Sequence, residues 1–73
     1  MIIYTKKCLA CHDKALWKTI KNFCKVHNLP LEERRVSINN EWAKEAASYE
    51  IDLPFAVHGK TALSLNEDLE GIL

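Results

Sequence analysis

Between Leu9 and Val26 the apolar residues recur at helical spacing, and short apolar runs stand on either side, so the chain is confined to alternating strands and helices. Leu16, Ile20, Phe23 and His27 follow one another at steps of four, three and four, with Lys14, Lys18, Lys21 and Lys25 on the opposite side, and the spacing predicts one amphipathic helix. Before it, "MIIY" is a continuous apolar and β-branched run of the kind a strand buried on both faces carries. After it, "HNLP" ends the helix, because Pro30 disfavours helical geometry in the residue before it and Asn28 suits a C-terminal turn. Val36 and Ile38, two apart in "ERRVSIN", then predict a second strand. A strand reached through a helical crossover lies parallel to the first.

The remainder continues the alternation. "NNEWAKEAASYEI" has a capping Asn39 or Asn40, Glu41 in the first turn and good helix formers beyond. "FAVHGKTALSL" reads as two short strands joined at His58, Gly59 and Lys60, where Gly59 takes positive φ at little cost. Ser64 followed by Glu67 forms a capping box for a short last helix. The expected order is βαβαββα in a single domain, residues 1–73, of the α/β class.

Composition then excludes several functions. Apolar residues make up 48% of the chain and charged ones 27%, which is the mixture of a packed domain. With 73 residues the core is thin, since a chain this short buries only about 60% of the surface its unfolded form exposes. Ten basic and ten acidic residues cancel, leaving no net field to attract nucleic acid or an anionic membrane. No run approaches the roughly 20 apolar residues of a membrane span. The opening "MIIYTKK" lacks the basic start, apolar segment and cleavage site of a secretory signal. A cytoplasmic monomer is the expectation, and in a reducing compartment a close cysteine pair binds metal or moves electrons more often than it staples a fold.

Three cysteines are present, and Cys8 and Cys11 stand as CxxC at the expected start of the first helix. There the unpaired amides and the positive end of the helix dipole favour a thiolate at Cys8, and Lys6 and Lys7 add to that field. Thiolate is the attacking species, so a pKa below about 8.5 raises the reactive fraction at neutral pH. Cys8 would attack a target disulfide and Cys11 would resolve the mixed disulfide. A second reading uses Cys8, Cys11, Cys24 and His27 as zinc ligands at finger-like spacing. If residues 12 to 23 are helical, however, Cys11 and Cys24 lie about 20 Å apart, too far for one ion. A non-catalytic adaptor is the third reading. Cys24 on the apolar stripe is expected to be a buried hydrophobe, His12 to sit on the exposed first turn, and Trp17 and Trp42 to cover the core.

"YTKKCLACHDKA", a strand followed by CxxC on a helix, together with "DLPFAVHGK", resembles the glutaredoxin branch of the thioredoxin-like superfamily over essentially the whole chain. The resemblance implies a central mixed four-stranded sheet flanked by three helices. It also implies a disulfide reductase with Cys8 and Cys11 as catalytic thiols and no tightly bound cofactor. Leu53 and Pro54 would take the place of the family's cis-Pro segment, which packs against the thiols and leaves the preceding backbone free to pair with an extended substrate. Glutathione is the implied co-substrate, with Lys6, and Asn66 or Asp68, meeting its carboxylates. Asp52-Leu53-Pro54 stands where glutathione-using members carry Thr-Val-Pro, and "LSLNED" where they carry Gly-Gly-x-Asp. A Leu-Pro in a short chain also resembles the glutaredoxin-like hydrogen donors of ribonucleotide reductase, which draw electrons from thioredoxin reductase, although their Trp-Ser-Gly-Phe-like segment is missing. A compact, divergent, phage-encoded member would fit that pattern.

Overall fold

A helical crossover between two strands of one sheet fixes their direction, and the rest of the topology follows from it. The computed structural model describes residues 1–65 and 67–72. β1 (Ile2–Thr5) is followed by α1 (Leu9–His12), α2 (Lys14–Val26) and β2 (Glu32–Arg35). α3 (Asn40–Ser48), β3 (Phe55–His58), β4 (Thr61–Ser64) and a 3₁₀ turn (Leu69–Ile72) complete the order. The sheet has four strands in the order β2-β1-β3-β4, with β1 parallel to β2 and antiparallel to β3. The chain is thus an α/β fold on a mixed sheet. No helix among the described residues is long and apolar enough to cross a membrane.

Alternation along the central strands divides the core in two. Ile3 on β1 and its partner Ala56 on β3 face Leu9, Ile20, Cys24, Leu65 and Ile72. Tyr4 and its partner Phe55 face the other way, with Val57, against Ala46 of α3. Tyr4 and Phe55 stack at 5.1 Å between ring centroids, and Tyr49 closes on Phe55 at 5.6 Å. Cys24 is buried as expected, and Trp17 packs against the Ile3 side. Lys14, Lys18, Lys21 and Lys25 are all exposed. Asn39 caps α3, its Oδ1 accepting from the N–H of Glu41 at 2.9 Å and of Trp42 at 3.2 Å. The β3–β4 turn holds Gly59 at φ 59°, the positive value its sequence position called for.

Three expectations are corrected. The first helix is not continuous: Asp13 breaks it at φ −139°, ψ 80°, and its Oδ1 accepts from Leu16 N–H at 3.0 Å as the cap of α2. An aspartate competes well for such amides, so the helix restarts where one is available. Asp13→Ala is expected to cost about 1 kcal/mol, seen as a lower urea midpoint at unchanged slope.

The second strand is "EERR", Glu32–Arg35: it shares Glu33–Arg35 with "ERRVSIN" but ends before Val36 and Ile38, the two residues that predicted it. Its ends are pinned by Glu32 N–H to Met1 C=O at 3.0 Å and Val36 N–H to Thr5 C=O at 2.9 Å. Val36 sits just past the strand, half-buried beside α3, while Ile38 is 66% exposed. A charged strand is tolerated because β2 is the sheet edge, where charge also discourages pairing with other chains. The last helix is a single 3₁₀ turn beginning at Leu69, capped by Asp68, whose Oδ1 accepts from Glu70 N–H at 3.1 Å, rather than by the Ser64–Glu67 box.

Candidate functional site

β1 runs through the middle of the sheet and delivers Cys8 just beyond its end, so the position of the thiol is set by a buried strand. One helical turn, α1, then brings Cys11 back over it. The Sγ atoms stand 2.8 Å apart, with Cys11 donating to Cys8, and both cysteines are free. A disulfide needs about 2.05 Å, so a small movement joins them. Cys11 is exposed and Cys8 half-buried.

The two thiols differ in acidity. The hydrogen bond from the Cys11 thiol holds Cys8 below the ordinary thiol value, against burial, which raises it. The Cys11 main-chain N–H and the charge of Arg35 lower Cys8 further, and Glu33 raises it. Cys11 is pushed up, chiefly because it is the donor. The cause matches the one the sequence indicated only in part: a helix-start amide, that of Cys11, contributes, but the Cys11 thiol contributes more. α1 is four residues long, so the dipole of a long helix does not begin at Cys8, and the Leu9 N–H is already taken by the Glu33 carboxylate at 2.9 Å. Nor are Lys6 and Lys7 among the principal influences on Cys8; the nearby cation is Arg35.

Lys6, Leu53 and Pro54 do come together. With Thr5, Lys7, Leu9 and His12 they line a cleft of about 230 Å³ alongside α1. The Leu53–Pro54 peptide bond is cis, as the resemblance implied. Pro54 C=O accepts from Leu65 N–H at 3.3 Å, whereas among the described residues nothing in the chain takes up the main-chain N–H or C=O of Leu53. The cleft therefore offers an apolar wall at Leu9, Leu53 and Pro54, a cationic rim at Lys6 and Lys7, and unpaired backbone at its edge. Asp68, offered as a further contact for glutathione, instead helps line a separate groove with α2, and Asn66 lies outside the described residues.

Other residues fall away from the site. Trp17 and Trp42 are half-buried, and neither lines the cleft. His27 caps the end of α2, its ring 4.4 Å from that of Phe23. Among the described residues no three His, Cys, Asp or Glu side chains converge as metal ligands, and Cys24 is turned into the core, its pKa raised by burial.

Three residues that sequence reasoning left unused shape the site. Ser37 donates from its hydroxyl to the Lys6 C=O at 2.9 Å and ties down the loop before Cys8. Glu33 and Arg35, alternate residues of β2, lie on the face of the sheet that carries the thiols. Their signal was present in the strand period of two, but only once "EERR" is recognised as a strand. In comparisons with known proteins the chain matches no family model, no curated protein and no solved structure.

Proposed function

We propose that this protein is a thiol–disulfide oxidoreductase of thioredoxin-like, glutaredoxin-type architecture, working through Cys8 and Cys11. The observation that carries the reading is the thiol pair itself: two free cysteines 2.8 Å apart, one acidified by a hydrogen bond from the other. Two features lend support, the β2-β1-β3-β4 sheet and the cleft that brings Lys6, Leu53 and cis Pro54 beside α1.

The chemistry balances without a bound cofactor. The Cys8 thiolate attacks one sulfur of a target disulfide, forming a mixed disulfide and expelling the other sulfur as a thiolate, which takes up a proton. Cys11, deprotonated, then attacks Cys8 Sγ and releases the second target thiolate. Two electrons have passed to the target, and the protein is left with a Cys8–Cys11 disulfide. Two molecules of glutathione, or the dithiol of a thioredoxin reductase, return those electrons. A protein disulfide or a glutathione mixed disulfide fits the open cleft as substrate, and ribonucleotide reductase is the first protein target to try.

NADPH consumption during reduction of a small disulfide tests the reading, with glutathione plus glutathione reductase in one arm and thioredoxin reductase alone in the other. Turnover in the glutathione arm assigns the tripeptide to the Lys6–Pro54 cleft. Turnover only with thioredoxin reductase assigns the protein to the thioredoxin-like donors. Turnover in neither arm overturns the proposal.

A further inference from the structure

Glu33 occupies a position that the exchange chemistry does not explain. It projects from the edge strand β2, in register with Ile3, toward the side of the sheet that carries the cysteines. One carboxylate oxygen, Oε2, accepts from Leu9 N–H at 2.9 Å and from the Thr5 hydroxyl at 3.4 Å. Leu9 is the first residue of α1 and follows Cys8 directly. Thr5, 2% exposed, ends the strand that leads to the cysteines. A single oxygen thus ties together the two ends of the loop on which Cys8 sits.

We propose that Glu33 is the positioning residue of the thiol pair, clamping Leu9 to Thr5 so that Cys8 Sγ stays within reach of Cys11 while a fixed negative charge is kept beside both sulfurs. The clamp and the charge act on different properties. The hydrogen bonds order the Cys8 loop, as a capping side chain orders a helix entry. The charge disfavours the Cys8 thiolate, against the favourable influences of Cys11 and of Arg35, two residues further along the same strand. Lys6 and Lys7 from the loop and His12 from α1 line the neighbouring cleft, together with the uncharged Leu53 and Pro54 from the segment before β3. Glu33 and Arg35 are therefore an opposed pair of charges on one strand face, each adjusting the Cys8 thiolate beneath the larger influence of the Cys11 thiol.

The inference takes its meaning from the redox reading, but its test needs no turnover. The alkylation rate of Cys8 by iodoacetamide is followed against pH by peptide mass spectrometry, alongside hydrogen exchange at the Leu9 amide, in the parent chain and in Glu33→Gln, Glu33→Ala and Arg35→Gln. Glu33→Gln keeps an oxygen acceptor and removes the charge. Its Cys8 midpoint is expected at lower pH, with alkylation below that midpoint about two- to fivefold faster, as befits a partly screened charge. Arg35→Gln is expected to move the midpoint the other way. Leu9 exchange is expected to accelerate in Glu33→Ala and to hold in Glu33→Gln. An unmoved midpoint in Glu33→Gln, or equal Leu9 protection in all four proteins, overturns the proposal. Since Glu33→Gln preserves the clamp, the charge arm stands even if Glu33→Ala does not fold. Shifted midpoints in a protein without turnover would remove the oxidoreductase reading and leave Glu33 as proposed; turnover with unshifted midpoints would do the reverse.

Discussion

Cys8→Ser is expected to reduce disulfide exchange to the uncatalysed level, while Cys11→Ser accumulates mixed disulfides that the parent protein does not retain. The asymmetry follows from which sulfur is the acidic one. Cys8 accepts the hydrogen bond and Cys11 donates it, so of the two sulfurs Cys8 is the one that ionises more readily. A serine hydroxyl does not ionise in that range and leaves no nucleophile. With serine at position 11 the first attack still occurs, but nothing resolves the product. Non-reducing mass spectrometry after incubation with a disulfide peptide reads both effects. Equal exchange by the Cys8 variant and the parent chain would sink the mechanism. So would trapping in the Cys8 variant but not in the Cys11 variant, since it would reverse the roles.

The same pair predicts a pH dependence with a definite sign. Removing the donor in Cys11→Ala should raise the Cys8 midpoint toward the ordinary thiol value of about 8.5, because the largest influence lowering it is gone. Its alkylation rate at neutral pH then falls. A Cys8 midpoint unchanged in Cys11→Ala would mean that some other group acidifies Cys8. Glu33 is not that group, for its charge acts in the opposite direction. The two experiments therefore probe different causes.

What the sequence makes legible is the apolar frame. "MIIY", the helical stripe through Ile20 and Cys24, and "FAVHGKTALSL" become the buried parts of the sheet and α2, because period and hydrophobicity report burial directly. The CxxC and Leu53–Pro54 are equally visible as residues. Less visible is what connects them. "EERR" has no apolar alternation, and it forms a strand only because backbone bonds to β1 at both ends hold it and its charges find partners on the two faces. On one face Arg34 reaches Glu45 at 2.6 Å and the Tyr4 hydroxyl at 3.3 Å; on the other Glu33 reaches Leu9 and Thr5. Such pairings depend on residues far apart in the chain, which a local pattern does not encode. Asp13 was locally visible, yet an aspartate in a helical stripe is read as a cap only when the restart after it is recognised. That single break leaves one helical turn at the thiols, where the Cys11 thiol, ahead of the Cys11 main-chain N–H, is the largest influence lowering Cys8.

The stability of the site is inseparable from that of the strand beside it, and Phe55→Ala is expected to be the most damaging core substitution. Phe55 is fully buried on β3, directly after Pro54, and its ring is enclosed by Tyr4 and Tyr49. Truncating a buried phenylalanine to alanine costs about 3–5 kcal/mol through lost transfer energy and the cavity left behind. At roughly 0.05–0.15 kcal/mol per residue, the whole chain is stable by only about 4–11 kcal/mol, so the loss is about a quarter of the total or more. A urea titration should show a large drop in midpoint, and at physiological temperature a substantial unfolded fraction. Phe55→Leu, which keeps most of the apolar volume, should lose less. Val26→Ala, at a side chain 69% exposed, should stay within about 0.5 kcal/mol of the parent. A Phe55→Ala midpoint no lower than that of Val26→Ala would contradict the packing of β3 against α3. If the packing holds, exchange by the Phe55→Ala protein should decline in step with its folded fraction. Pro54 leads directly into Phe55, and Leu53 packs on the same cluster, so losing that packing loosens the cleft wall they form.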